Sequence, residues 1–177
     1  MEEIWISPCI KFLKNVLRTG MTGVEIGVSV GSNAAVVFEY LKPKKYYLID
    51  PYKKQIEGYF NSSLTQASFD EAYKKMFASF NGLPNVVIKK MTSEEAAPEV
   101  ENDLDFVYVD GSHIYEAVNL DLNLWYPKIR SGGVLCGDDY NAPGVEKAVD
   151  EFVSINNLKM ELSIDSAHPT QFWIIKP

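Results

Sequence analysis

Short apolar runs alternate strictly with segments of helical periodicity along this chain, and this alternation restricts the possible folds more than any other feature. Runs typical of buried strands occupy residues 22–27, 45–50, 85–91, 104–110 and 132–139. Such an alternation predicts a parallel sheet with helices on both faces. Two last runs, 158–164 and 170–176, are joined by a short turn and must be antiparallel to each other. We therefore expect an α/β protein with a seven-stranded, mostly parallel sheet and an antiparallel last strand.

The segments before and between these runs carry apolar residues at helical spacing. Predicted helices cover 4–18, 32–42, 65–80, 93–100, 113–129 and 144–155. Ser32 or Asn33 is the expected N-cap of the second helix. Residues 51–64 show no clean period, and we interpret them as a connection that could close as a lid. A chain of 177 residues fits a single domain, 1–177, whose first 20 residues contribute a short leading helix.

The composition excludes several classes of function. With 46% hydrophobic and 23% charged residues, the chain has the profile of a globular domain. A net charge of −7 without any run of Lys or Arg argues against nucleic-acid partners and against anionic membranes. The first residues carry acids where a signal peptide carries bases. Cys9 and Cys136 are far apart in the sequence and are expected to be buried free thiols. We therefore predict a cytoplasmic protein.

Carboxylates stand where the predicted strands end. They are Asp50, Asp110, Asp138 and Asp139, and a glycine-rich turn follows the first strand. Open parallel sheets bind their ligands in the crevice at the carboxyl ends of the strands. These side chains are therefore expected to lie in one binding crevice.

The first strand leads into the sequence Glu25-x-Gly27-x-x-x-Gly31. Glycines in such a turn let the backbone approach a ligand, although a tight turn packed for structural reasons is an equal alternative. The spacing differs from the G-x-G-x-x-G of dinucleotide-binding proteins, and an acid before the turn would repel a pyrophosphate. An acid at the position of Asp50 commonly binds both ribose hydroxyls, unless it only caps the turn at Pro51.

The second half of the chain predicts a metal site. Three carboxylates at neighbouring strand ends repel one another unless a cation lies among them, and oxygen ligands favour Mg²⁺, Ca²⁺ or Mn²⁺. His113 follows Asp110 by three residues, at the predicted start of a helix, where a neutral imidazole can accept a proton. The alternatives are a turn with His113 as helix cap and a polar loop at Asp138 and Asp139.

The run from residue 22 to residue 176 resembles the class I S-adenosylmethionine-dependent methyltransferases. The resemblance rests on the acid and glycines of the first turn and on the acid that ends the second strand. It implies a Rossmann-like methyltransferase fold with S-adenosylmethionine as cofactor. In that family the corresponding residues bind the methionine part, the ribose and the adenine. The residues that the resemblance assigns to the cofactor are Glu25, Gly27, Gly31, Asp50, Ser93, Glu94 and Asp110.

The stretch 105–140 is similar to the divalent-cation-dependent small-molecule O-methyltransferases, including macrocin-type and cephalosporin hydroxylase-like proteins. This similarity implies that Asp110, Asp138 and Asp139 hold Mg²⁺ and that His113 is the general base. The first acid of the pair is often Glu in that branch and is Asp138 here. The implied partner is a small-molecule hydroxyl acceptor. The pocket segments of those enzymes have no counterpart in this sequence, which suggests a homo-oligomer.

Two other functions remain open. A NAD-dependent oxidoreductase would share the sheet and Asp50 but is expected to lack Glu25 and to space its glycines more tightly. A non-catalytic cofactor-binding protein would keep the fold without turnover, and the intact set of Asp110, His113, Asp138 and Asp139 argues against it. The aromatic residues nearest these motifs could line an acceptor pocket; they are Tyr52, Tyr59, Phe60, Tyr115 and Tyr140.

Overall fold

A computed structural model of the chain describes residues 6–54, 64–163 and 170–177. Its centre is a single sheet of seven strands in the order β3-β2-β1-β4-β5-β7-β6. The strands are β1 Thr22–Ile26, β2 Lys45–Ile49, β3 Val86–Lys89, β4 Leu104–Val109, β5 Ile129–Gly137, β6 Met160–Leu162 and β7 Phe172–Ile175.

Neighbouring strands from β3 to β5 pair in parallel, while β7 pairs antiparallel with both β5 and β6. The predicted fold class is therefore confirmed. Strand β1 lies between β2 and β4, with Ile26 opposite Ile49 on one side and Val109 on the other. The register brings the ends of these three strands to the same level, which places the residues that follow them around one crevice.

Among the described residues, one helix precedes β1 and one helix follows each of the strands β1 to β5 along the chain. They are α1 Pro8–Val16, α2 Ser32–Leu41, α3 Gln66–Phe80, α4 Ser93–Ala96, α5 Tyr115–Trp125 and α6 Pro143–Ile155. Short 3-10 turns extend α4 over Ala97–Glu99 and α5 over Tyr126–Lys128. Of the predicted lid, Pro51 to Lys54 lie outside helices and strands, and residues 55–63 are outside the described part.

Two expectations about helix starts are wrong in detail. Helix α2 begins after Gly31, which occupies the N-cap position with a φ of 85°, and neither Ser32 nor Asn33 has that role. The Asn33 amide instead donates a hydrogen bond to Glu25. The side chain therefore makes a tertiary contact in place of a cap. Helix α5 begins at Tyr115, so His113 lies in the preceding loop and not in the first turn.

The sheet carries an apolar core on each face because successive strand residues point to opposite sides. Helices α1, α2 and α3 cover one face, against strand residues that include Tyr46, Phe106 and Cys136. Helices α4, α5 and α6 cover the other, against Val24, Ile49 and others. The two layers cover both faces of the sheet beneath the crevice.

The two cysteines are free, buried thiols, as predicted, but they are neighbours in space. Burial raises the pKa of the Cys136 thiol of β5 well above its usual range, and the neighbouring Cys9 of α1 adds to the rise. Among the described residues, no helix combines the length and the apolar character that crossing a membrane requires.

Candidate active site

Two cavities of about 280 Å³ each adjoin at the carboxyl ends of β1, β2 and β4. Both are lined by Gly27, Asp50, Pro51 and Gly111, so they form one continuous crevice. The first cavity extends over Tyr52 towards α3, and the second extends between α4 and α5. Of the residues predicted to bind a ligand, these cavities bring together Gly27, Asp50, Ser93, Glu94 and Asp110.

Gly27 brings the turn after β1 into direct contact with the loop after β4. Its φ is 84°, a conformation that residues with a side chain rarely adopt. A Cβ at this position would overlap the carbonyl oxygen of Asp110 and the Cα of Gly111. Glycine is therefore required at position 27 for close approach of two backbones. Gly31 packs instead against Phe80 of α3 and does not line either cavity.

Glu25 lies behind the crevice, with only 1% of its surface exposed. One carboxylate oxygen accepts hydrogen bonds from the Tyr46 hydroxyl and from Asn33, and the other has no protein partner. Burial raises the pKa of Glu25 to about 7, and the charge of Asp50 adds to the effect. The carboxyl group therefore gains or loses its proton near neutral pH.

Asp50 organises the loops after β1 and β2. Its carboxylate accepts the backbone N–H of Ser29 at 2.9 Å and that of Tyr52 at 2.7 Å. The Tyr52 hydroxyl then donates to the carbonyl oxygen of Ser29 at 2.8 Å, which closes a ring of three residues. Ser29 and Tyr52 have φ angles of 50° and 48°, so two strained residues are held by one carboxylate.

The second cavity ends at Asp121, a residue that the sequence motifs did not single out. Ser93 and Glu94 line it, as expected, together with Ser112 and Asp121. The Ser93 hydroxyl accepts a hydrogen bond from the indole of Trp125 at 2.7 Å. Asp121 interrupts the apolar face of α5. An acid in the apolar stripe of a helix can be recognised in the sequence, so this residue could have been predicted.

Asp110, His113 and Asp139 form a cluster at the edge of the first cavity. One potential ligand atom from each lies within 4.8 Å of the others. His113 Nε2 is 3.1 Å from Asp139 Oδ2. Burial raises the pKa of Asp110 well above its usual range, and the negative charges of Asp138, Glu25 and Asp139 add to the rise.

Asp138 lies beside this cluster but its oxygens have other partners. One accepts the backbone N–H of Asp139 at 2.8 Å, and the other is 3.4 Å from the Gln171 amide. Gln171 also donates to the Tyr108 hydroxyl and accepts the backbone N–H of Cys9. Gln171 is thus a supporting residue that no motif indicated.

The donor set suits a hard divalent cation. Asp110 and Asp139 contribute carboxylate oxygens, the ligands that Mn²⁺ and Mg²⁺ prefer, and a nitrogen of His113 lies in the same cluster. Several carboxylates close together raise one another's pKa, and a cation among them would relieve this repulsion. The residues present therefore fit the predicted cation, with Asp139 in a more direct position than Asp138.

The aromatic residues predicted to line an acceptor pocket lie in different parts of the structure. Tyr52 lines the first cavity. The hydroxyls of Tyr115 and Tyr140 donate to Glu151 and Asp150 on α6, at 2.6 Å each. Tyr59 and Phe60 lie outside the described residues.

Solved structures with this architecture include O-methyltransferases. The O-methyltransferase NovP superposes with a TM-score of 0.71 at 19% identity, over 96% of this chain and 80% of NovP. SMU.1697c from Streptococcus mutans, solved in complex with SAH, gives a TM-score of 0.70 at 16% identity over 96% of both chains. At such identities these likenesses establish the fold.

Sequence comparison identifies the family. Protein R132 of Acanthamoeba polyphaga mimivirus, itself uncharacterized, is 31% identical over 156 residues, which cover 80% of this chain. The chain spans 65% of the length of that relative. A family model described as a methyltransferase domain matches residues 24–140, from β1 to the acidic pair after β5. The chain therefore belongs to this family of methyltransferase domains.

Proposed function

We propose that the protein transfers a methyl group from S-adenosylmethionine to a hydroxyl of a small molecule. The observation that carries the proposal is that two features lie side by side in one crevice. A pair of joined cavities follows β1, β2 and β4, and a cluster of one histidine and two aspartates borders it at Asp110. The family assignment and the architecture shared with NovP support this reaction.

We assign the parts of the methyl donor to separate places in the crevice. The ribose is assigned to Asp50, whose carboxylate oxygens each accept one backbone N–H and keep a further lone pair. The base is assigned to the cavity of Ser93 and Glu94, and the methionine part to the turn at Gly27. The sulfonium group of the donor supplies the methyl. Glu25 supports this turn from behind through Asn33 and does not line the cavities.

Asp110 and Asp139 are the residues that would hold a divalent cation, with Asp138 as the third carboxylate of the sequence prediction. Such a cation, when bound, lowers the pKa of a coordinated hydroxyl. His113 lies at the same edge and is the base that we assign to the acceptor's proton. Its contact with Asp139 orients the imidazole. When Asp139 serves as a ligand, Nε2 of His113 accepts the proton. General-base assistance of this kind typically contributes about 10²–10⁴-fold.

Isothermal titration calorimetry with S-adenosylhomocysteine, with and without Mg²⁺, tests the donor half of the proposal. We expect micromolar binding that Asp50→Ala abolishes. Asp70→Ala, the same substitution at an exposed position of α3, is the matched control and should bind normally. Absence of binding under both conditions would remove the proposal, and NAD would then be titrated to test the oxidoreductase alternative.

The acceptor half is tested by turnover with a panel of vicinal diols and catechols, with a structured RNA as comparator. We expect methylation of hydroxyls in the small molecules alone, because the net charge of −7 disfavours RNA. Methylation of the RNA in preference to every small molecule would contradict this assignment.

A further inference from the structure

Strand β6 is the outermost strand on one side of the sheet, and only β7 pairs with it among the described residues. The Ser163 N–H donates to the carbonyl oxygen of Gln171 at 2.8 Å, so the backbone of Ser163 is directed towards β7. Backbone groups alternate in direction along an antiparallel ladder, so Glu161 faces β7 as well. Met160 and Leu162 therefore turn their N–H and C=O groups to the open side of the sheet.

The side chains along this edge are self-complementary. The segment reads Leu158-Lys159-Met160-Glu161-Leu162. Leu158 and Met160 pack against the core beneath α6, whereas Lys159 and Glu161 are exposed on the other face. If two copies of this segment pair antiparallel around Met160, Lys159 lies opposite the partner's Glu161. The same pairing places Leu158 opposite the partner's Leu162.

The two charges select this register. Opposite charges directly across an antiparallel pair stabilise it, and like charges destabilise it. A register centred on Glu161 would place two carboxylates opposite each other. The register centred on Met160 instead forms the pair of Lys159 with the partner's Glu161 twice, because a twofold axis repeats every contact. A lone lysine on an edge strand opposes pairing. The glutamate two residues later makes this edge complementary to its own copy.

The surface beside β6 supplies further apolar area. A cavity of about 350 Å³ lies along the charged face of the strand and is lined by Lys159, Glu161, Trp173 and Ile175. Ile175 is 45% exposed although β7 lies between two other strands. The Trp173 indole donates to Glu161 at 3.3 Å, which holds this carboxylate at the edge. On the opposite face Leu162 is 37% exposed.

We propose that the β6 edge is an interface between two copies of this chain, which pair antiparallel around Met160 and continue the sheet from one copy into the other. The twofold axis is perpendicular to the sheet, so the parallel strands of the two copies run in opposite directions. The crevices that follow β1, β2 and β4 then lie at opposite ends of the dimer, and the partner covers neither of them. This inference does not depend on the proposed function.

Sedimentation equilibrium of the full chain over a wide range of protein concentrations tests the interface. We expect a monomer–dimer equilibrium without larger species, because twofold pairing uses the β6 edge of both copies. The variants are Lys159→Glu, Glu161→Lys and the double swap that carries both substitutions. Lys74→Glu is the matched control, since it makes the same charge change at an exposed position of α3.

Each single reversal places like charges opposite each other at two positions of the interface. We expect it to raise the Kd of the dimer by at least about tenfold. The double swap restores two opposite-charge pairs and should return the Kd to within about threefold of the unaltered protein. Lys74→Glu should leave the Kd unchanged. Recovery in the double swap cannot result from misfolding, because misfolding would add up in a variant that carries both substitutions.

Four results would overturn the proposal. The first is a protein that stays monomeric at every concentration. The second is a dimer that persists unchanged in both single variants, since it must use another surface. The third is a loss in the single variants without recovery in the double swap, which would exclude the register centred on Met160. The fourth is a series of species that grows beyond two copies, which indicates a head-to-tail contact.

Discussion

His113 Nε2 lies 3.1 Å from Asp139 Oδ2, so the residues that follow β4 and β5 meet directly across the edge of the sheet. The two strands are paired in parallel up to Val109 and Gly137, which sets the distance between the loops beyond them. The central sheet thereby holds the proposed base beside a candidate cation ligand. This relationship makes separate predictions for proton transfer and for metal binding.

Replacing His113 with Ala should lower kcat for methyl transfer by about 10²–10⁴-fold, the usual contribution of a general base. Affinity for S-adenosylhomocysteine should stay within a factor of about two, because His113 lines neither cavity. Steady-state kinetics and calorimetry on the same preparation measure both effects. Tyr115→Phe is the control, since its hydroxyl contacts Glu151 on α6. Unchanged turnover in His113→Ala would remove the histidine from the mechanism.

Substitutions of the acidic pair should differ in their effect on metal binding. Asp139→Asn should weaken Mn²⁺ binding by at least about tenfold, the range that altered metal sites show. Asp138→Asn should cost less, because the Asp138 oxygens already contact Gln171 and the Asp139 backbone. Electron paramagnetic resonance of free Mn²⁺ measures this without any turnover. Equal losses in the two variants would favour the three-carboxylate set over the geometric cluster.

Glu25→Gln should stabilise the protein at alkaline pH. The folded state holds the Glu25 proton more tightly than the unfolded chain, since the pKa rises from 4.5 to about 7. The contribution of this group to stability is therefore complete below pH 4.5 and is lost as pH rises through 7. The shift corresponds to at most about 3 kcal/mol.

Thermal or urea unfolding of both proteins at pH 5 and pH 8 measures this effect. Asp50, Asp110 and Asp138 also have raised pKa values, so the informative quantity is the difference between variant and parent at each pH. We expect that difference to favour the variant more at pH 8 than at pH 5. A variant that is less stable by the same amount at both would show that the hydrogen bonds from Tyr46 and Asn33 outweigh the desolvation of the carboxylate.

Tyr52→Phe should weaken binding of S-adenosylhomocysteine by about 2- to 10-fold, the value of one hydrogen bond. The phenyl ring keeps its packing, but the Ser29 carbonyl loses the hydroxyl that holds this strained residue in place. Calorimetry measures the affinity. Tyr73→Phe is the matched control, because the Tyr73 ring packs 5.0 Å from that of Tyr52 on the side of α3. The ring of hydrogen bonds has no role in binding if both variants bind equally well.

Much of the fold could be predicted because local patterns and tertiary structure agree. The five apolar runs correspond to β1 to β5. The carboxylates at their ends lie around one crevice, as parallel strands require. The N-cap of α2 could not be predicted in this way. Asn33 is a good capping residue, but its side chain donates through Nδ2 to the buried carboxylate of Glu25, and this partner is recognisable only in the folded chain.

The candidate site could be predicted as far as its motifs extend. Asp50, Asp110 and His113 could be singled out because each follows an apolar run within a few residues. Asp121 could have been found, since an acid on the buried stripe of a helix demands a partner. Gln171 could not, because its contact with Asp138 depends on β7 entering the sheet beside β5.

The contact between Gly27 and the Asp110 backbone has a consequence for how such a protein can diversify. In the proposed reaction, two main chains in contact, with no side chain between them, set the distance between the donor side and the acceptor side of the crevice. Residues that contact an acceptor can therefore be exchanged without changing the path along which the methyl group travels. Position 27 itself lacks this freedom, and a larger residue there would separate the two halves. Acceptor choice and transfer distance are thus independently variable in this architecture.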